Sequence, residues 1–251
     1  MGIGQVSLLL LAGLAAGAIN ALAGGGSLLT FPALVAAGLP PVQANVTNSV
    51  AVCPGYLAAT AGSWDDLSGQ RRRVWSLIPV TIVGTAAGTA LLLLTPASAF
   101  EAVVQFLVIG AALLLAFQKR VRGLVGHPTH MSARRRTLSL QIMTGVGCVY
   151  GGYFGAALGV MLVAGLALVV DESLARVTAL KNVISALVGL TTVVSYALFG
   201  PVDWLGVAIV APSTLVGGYV GARVARRLPQ PVLRWFIVVF GLAVGVYLFF
   251  A

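Results

Sequence analysis

Residues Val6 to Leu39 read VSLLLLAGLAAGAINALAGGGSLLTFPALVAAGL, without one charged side chain. A helix crosses the hydrocarbon core in roughly 20 apolar residues, because about 30 Å is covered at about 1.5 Å per residue. This stretch is too long for one upright helix, and Gly24-Gly25-Gly26-Ser27 and then Pro32 interrupt it. Two shorter segments, a broken or hairpin-like pair, are expected. Leu138 to Val170 is similarly long and carries Gly145, Gly147, Gly151, Gly152, Gly155 and Gly159. It is expected to break in the same way. Between and beyond these pairs lie Val46 to Gly62, Val74 to Thr95, Ala99 to Gln118, Ser173 to Phe199, Val202 to Gly221 and Pro231 to Ala251. These six read as ordinary spans.

The composition agrees. Of 251 residues, 59% are hydrophobic and 8% charged, and the mean hydropathy is +1.02. A soluble domain carries about 25% charged residues, so lipid must be the solvent for most of this surface. A soluble enzyme and a disordered chain are excluded. Two cysteines give no disulfide or zinc framework. The net charge of +9 sits in short clusters between apolar runs, at Arg71 to Arg73, Lys119 to Arg136 and Arg223 to Arg227. That is the positive-inside pattern of a multi-pass protein of the cell (plasma or inner) membrane, not a nucleic-acid face. No Lys or Arg precedes Arg71. A signal peptide needs a basic start, so the first segment is expected to stay in the mature chain.

Prolines and glycines expose a duplication. Pro79, Gly84, Gly88 and Pro96 are spaced five, four and eight apart, and so are Pro212, Gly217, Gly221 and Pro229, at an offset of 133. Upstream, Ala44-Asn45-Val46-Thr47 matches Ala175-Arg176-Val177-Thr178 at an offset of 131. The basic clusters should face the cytoplasm. Trp204, the counterpart of Arg71, lies one span from Arg223 and should face outside. The halves then run in opposite directions, as in inverted-repeat transporters. The expected architecture is all-α, with two inverted repeats of about five segments each, the first two of each short or broken. Residues 1–118 form the first repeat, 119–137 a basic cytoplasmic linker and 138–251 the second repeat.

Short or Gly/Pro-interrupted segments at corresponding positions of two halves point to the binding site. Free backbone at a helix break survives in lipid only where it is buried or lines a cavity, and a half-helix N-terminus there suits an anion. Gly24, Gly25, Gly26, Gly155 and Gly159 are therefore candidate ligand contacts, although glycine also serves close helix packing. After the first break come Asn45, Thr47, Asn48 and Ser49; after the second, Arg176, Thr178, Lys181 and Asn182. Lys181 lies about 13 Å along a helix from Glu172. An ionisable residue at that depth is a functional candidate. Thr178 shares its helix face with Lys181 and Asn182. Arg176 and Lys181 either pair with Asp171 or Glu172 or meet a ligand; Asp171, Asn45 and Thr47 also suit helix caps.

Other polar residues offer less. Asp65, Asp66, Glu101 and Asp203 sit at loops or span ends, His127 and His130 in the basic loop, and Cys53 and Cys148 read as small hydrophobes. No apolar segment holds a histidine, so neither an H-E-x-x-H zinc helix nor an activated intramembrane serine is present, and no phosphate-binding glycine-lysine loop occurs. No enzyme activity, cofactor or metal is expected.

The stretch Gly17 to Leu34, with Gly38-Leu39-Pro40-Pro41 and Ala44-Asn45-Val46-Thr47-Asn48-Ser49, resembles the TauE/SafE sulfite exporter family. So does Gly151 to Gly159, which departs at Ala156 and Ala157, where the family carries a denser glycine run; Ala164 stands where the first half has Pro32. The resemblance implies a membrane transporter of small anions such as sulfite, sulfonates and related organosulfur or carboxylate compounds, with proton coupling often supposed. Residues and resemblance converge on a secondary transporter of a small anionic substrate working by alternating access, in a lipid bilayer, with no nucleic-acid partner and a scaffold compatible with a homo-oligomer. A passive anion channel, or a membrane subunit binding a soluble partner through the basic loop, stands as the alternative.

Overall fold

The computed structural model describes residues 2–22, 24–117 and 132–224, with single positions at 235, 238, 239, 242, 243 and 246. Most of the span expected at Pro231 to Ala251, most of the basic linker and both histidines lie outside the described residues. Among those described, the regular structure is helical. The helices are α1 (Ile3–Leu22), α2 (Ser27–Ala36), α3 (Pro41–Ala51), α4 (Cys53–Gly62), α5 (Arg71–Leu94), α6 (Ala97–Ala116), α7 (Ala133–Tyr153), α8 (Leu158–Val169), α9 (Leu174–Phe199) and α10 (Trp204–Val224). A 3-10 turn, Trp64–Leu67, joins α4 to α5.

Among the described residues four helices are long and apolar enough to cross a bilayer: Ile3–Ala21, Arg71–Leu94, Ala97–Ala116 and Leu174–Phe199. Large apolar side chains stand on their outer faces, among them Leu94 at 82% exposure and Phe199 at 75%. In water such faces would associate; in lipid they are solvated.

The first member of each glycine-rich pair is not short. α1 has 20 residues and α7 has 21. Nothing between Ile3 and Leu22 interrupts the ladder. At α7, Ser132 caps the helix by accepting from the Arg135 N–H, and exposed Arg134 and Arg135 begin it, reaching toward the interface as long cations do. Within these pairs only the second members are short, α2 with 10 residues and α8 with 12. Pro32 lies inside α2 without ending it. The expected span Val46 to Gly62 also differs. It begins at Pro41, a favoured first helical position, and divides at Val52, ahead of Pro54, which has no N–H to continue the ladder. Gly159, expected in the second break, lies in the first turn of α8.

α1 packs chiefly on α10, and α5 chiefly on α7; α4 lies against both α9 and α10, and α9 against α5. Glycines permit the closest approaches. A Cβ at Gly217 would stand 2.1 Å from the Leu14 carbonyl oxygen, and one at Gly88 2.1 Å from that of Val149. A core gathers where α2, α3 and α6 meet the second break, with Phe31 edge-on to Phe154 at 5.4 Å.

Candidate functional site

Both breaks are built alike. α1 ends with Gly24 at φ +76°, its N–H donating to the Ile19 carbonyl at 3.2 Å. α7 ends with Gly155 at φ +74°, its N–H donating to the Tyr150 carbonyl at 3.1 Å. Each is a left-handed glycine closing a helix C-terminus, and the pairs lie 131 residues apart. The first turn is then held by Asn20, whose Oδ1 accepts from the Gly26 N–H at 2.8 Å. The second is held by the Tyr150 hydroxyl, which donates to the Ala156 carbonyl at 2.6 Å. The breaks touch: a Cβ at Gly24 would lie 2.4 Å from Gly159 Cα.

Side chains of each half hold the helix end of the other. Lys181 on α9 is fully buried and donates from Nζ to the Asn20 carbonyl at 3.0 Å. That carbonyl belongs to the last turn of α1, where helices leave acceptors free and carry partial negative charge. Asn45 on α3 donates from Nδ2 to the Tyr153 carbonyl at the end of α7, at 2.9 Å. The Tyr196 hydroxyl donates to the Gly152 carbonyl, and Thr30 Oγ1 to Asn48 Oδ1. Spare hydrogen-bonding capacity remains. Asn20 Nδ2, Asn45 Oδ1 and Ser185 Oγ are buried without partners among the described residues.

Between the breaks lies a small pocket lined by Ser27, Ser49, Tyr56 and Thr192, with Phe154, Gly155 and Val188. Its volume for the centres of water-sized spheres is about 20 Å³, room for about one water. Ser27 opens α2 and Gly155 belongs to the second break, so both breaks reach it.

The sequence candidates divide. Gly24, Gly25, Gly26, Gly155, Gly159, Asn45, Asn48 and Lys181 gather around the touching breaks. Three of the others are engaged elsewhere. Thr47 Oγ1 accepts from the Asp203 N–H at 2.9 Å, ahead of α10. Asn182 donates to the Ala59 carbonyl at 3.2 Å and to Ser63 Oγ at 3.0 Å, tying α9 to α4. Thr178 is half-buried on α9. Arg176 meets Glu172 at 2.7 Å and donates to the Ser68 carbonyl at 2.8 Å. Arg73 approaches the same carboxylate at 3.5 Å. Partial burial works against ionisation of Glu172. The guanidinium of Arg176, and then that of Arg73, nonetheless hold its carboxyl below the usual carboxylate range. Ser173, not Asp171, caps α9.

Tyr56, Thr192 and Asn20 were not singled out from sequence, although a signal exists. Asn45, Ser49, Val52 and Tyr56 step by four, three and four, as do Lys181, Ser185, Val188 and Thr192. The second set is one face of α9, and the first runs from α3 across Val52 into α4; Ser49, Val52 and Tyr56 of the one and Val188 and Thr192 of the other meet at this pocket.

Known proteins resemble this chain along most of its length. The family described as Sulfite exporter TauE/SafE matches residues 9–248. The probable membrane transporter protein YfcA of Escherichia coli K12 is 31% identical over 221 residues, covering 85% of this chain and 76% of its own length. A probable membrane transporter protein of Haemophilus influenzae is 24% identical over 239 residues, covering 95% and 92%. Another, ORF9 of a Sinorhizobium species, is 26% identical over 249 residues, covering 97% and 92%. The chain therefore belongs to the TauE/SafE sulfite exporter family of membrane transporters and is not an enzyme.

Proposed function

We propose that this protein is a secondary transporter of a small anion, sulfite, a sulfonate or a related organosulfur or carboxylate compound, working in the cell membrane by alternating access of two inverted repeats. One observation carries the reading. Two left-handed glycine breaks, 131 residues apart, touch beside a small pocket that carries four hydroxyls and beside a buried lysine. Helix packing supports the repeat. α1 and α7 correspond, as do α5 and α10, and α1 packs on α10 while α7 packs on α5. Exchanging the halves exchanges the pairs, as a two-fold axis in the membrane plane requires. The repeats are taken as 1–118 and 138–251, joined by the basic linker 119–137, whose residues from Ala133 onward already belong to α7.

In this reading the ligand sits between the breaks. Ser27, Ser49, Tyr56 and Thr192 supply hydroxyls, the breaks supply backbone N–H groups, and Lys181 supplies charge from the Asn20 side. Thr47, Asn182 and Arg176 hold helices together. Room for about one water makes this an occluded geometry, and movement of the short helices α2 and α8 would open it.

Uptake of labelled sulfite and a small sulfonate into proteoliposomes, with and without a pH gradient, tests this. Saturable uptake accelerated by counter-loaded substrate is expected, and a response to the gradient would establish proton coupling. Lys181→Met should lower uptake about tenfold or more while the protein stays folded, because it removes a buried charge partner. Full uptake in that variant would remove Lys181 from the site.

A further inference from the structure

We infer that the transported species is a monoanion, with Lys181 as its single counter-charge; this rests on the anion-transport reading above. All six acidic residues, Asp65, Asp66, Glu101, Asp171, Glu172 and Asp203, are at least partly exposed. Lys181 is the one fully buried charged side chain among the described residues. The polar groups that line the pocket are neutral hydroxyls. The interior at the breaks thus holds one positive charge and no negative side chain to oppose it.

Spare donors stand around that charge, alongside one spare acceptor at the breaks, Asn45 Oδ1, and Ser185 Oγ, which can play either part. One of the three Lys181 N–H donors is directed to a described residue, the Asn20 carbonyl. Asn20 Nδ2 is a further buried donor without a described partner. Spare donors beside one cation fit one anionic head. Stripping an ion of water costs an energy that rises with the square of its charge, so a dianion costs about four times as much as a monoanion of the same size. Its attraction to a single ammonium only doubles. A monoanion leaves the loaded site neutral; a dianion leaves one uncompensated buried charge. Hydrogensulfite and the sulfonates fit, whereas the sulfite dianion and sulfate do not.

Charge and shape are separated by three probes. Methanesulfonate and perchlorate are tetrahedral monoanions, and sulfate is a tetrahedral dianion of the same size class. Labelled methanesulfonate uptake would be measured in proteoliposomes of the full chain, at fixed pH and ionic strength, with each anion as competitor. Competition by perchlorate and by unlabelled methanesulfonate is expected, with sulfate at about tenfold higher concentration leaving uptake unchanged. Sulfate competing at the concentrations at which perchlorate does would overturn the inference and leave the transporter reading standing. Saturable uptake of none of methanesulfonate, sulfite, sulfate and a small carboxylate such as acetate, from protein that elutes as a single folded species, would instead overturn the transporter reading itself. In Lys181→Met, methanesulfonate uptake should fall without any gain in sulfate uptake; unchanged methanesulfonate uptake would overturn the counter-charge role.

Discussion

Gly24 and Ala157 occupy the same region of backbone space with opposite consequences. Gly24, at φ +76°, has no Cβ, and any Cβ there would meet the Gly159 backbone. Gly24→Ala should therefore cost about 3 kcal/mol or more, from left-handed strain plus a clash that only backbone movement relieves. Ala157 sits at φ +57° as the residue before α8, and it is the one described non-glycine with positive φ. Its left-handed strain is about 1 kcal/mol. Ala157→Gly should leave the melting temperature in detergent unchanged or raise it, whereas Gly24→Ala should lower it by many degrees. A clear fall for Ala157→Gly would mean that its buried methyl outweighs the strain. The triple glycine marked the first position in the chain, whereas the departure from the family's glycine run marked Ala156 and Ala157 together and not which of them turns left-handed. Lys181 was readable from its depth. The tasks of Thr47 and Asn182 were not, because their partners lie 156 and 119 or more residues away. Only the folded chain brings such groups together.

At the scale of helices, hydropathy located the spans but misjudged where several begin. α7 starts among arginines and α3 at paired prolines, where apolar run length carries no signal and capping chemistry does. The starts of two other helices, α5 and α9, hold an ion-pair cluster. Arg73 at the start of α5 and Arg176 at the start of α9 share Glu172, and Gln70 Nε2 donates to the Arg176 carbonyl at 3.1 Å. Pairing of Arg176 with Glu172 was one of the two readings open from sequence. Glu172 has a folded-state pKa below its ordinary value of 4.5. Its stabilising contribution is fully present above that ordinary value and is lost as pH falls through the lowered one. The side chains are 25–29% exposed, so the effect is a few tenths to about 1 kcal/mol. Glu172→Gln should lower the melting temperature slightly at pH 7 and flatten its decline between about pH 5 and pH 3. An unchanged acid decline would assign that lability to other carboxylates.

The whole molecule turns on which side of the membrane each helix end faces. The 131-residue and 133-residue offsets were legible because glycine and proline keep their spacing where backbone geometry demands them. Direction was legible only through charge, which sits at few points, and most of the linker and last segment falls outside the described residues. An inverted arrangement puts Ser68 and Arg134 on the cytoplasmic side and Ser98 and Pro201 on the opposite side. Parallel halves would instead put Pro201 with Ser68. All four positions are exposed. The two native cysteines, Cys53 at 3% and Cys148 at 0% exposure, should stay silent to a membrane-impermeant maleimide in the folded protein. Single cysteines can therefore be read against an unlabelled background. In right-side-out vesicles, Ser98→Cys and Pro201→Cys should label from outside, and Ser68→Cys and Arg134→Cys only after permeabilisation. Labelling of Pro201→Cys together with Ser68→Cys would remove the in-plane two-fold axis and, with it, the equivalence of the two glycine breaks as halves of one alternating site. Separation of the two would leave the touching breaks at the one place the axis requires them, between the helix pairs α1–α10 and α5–α7.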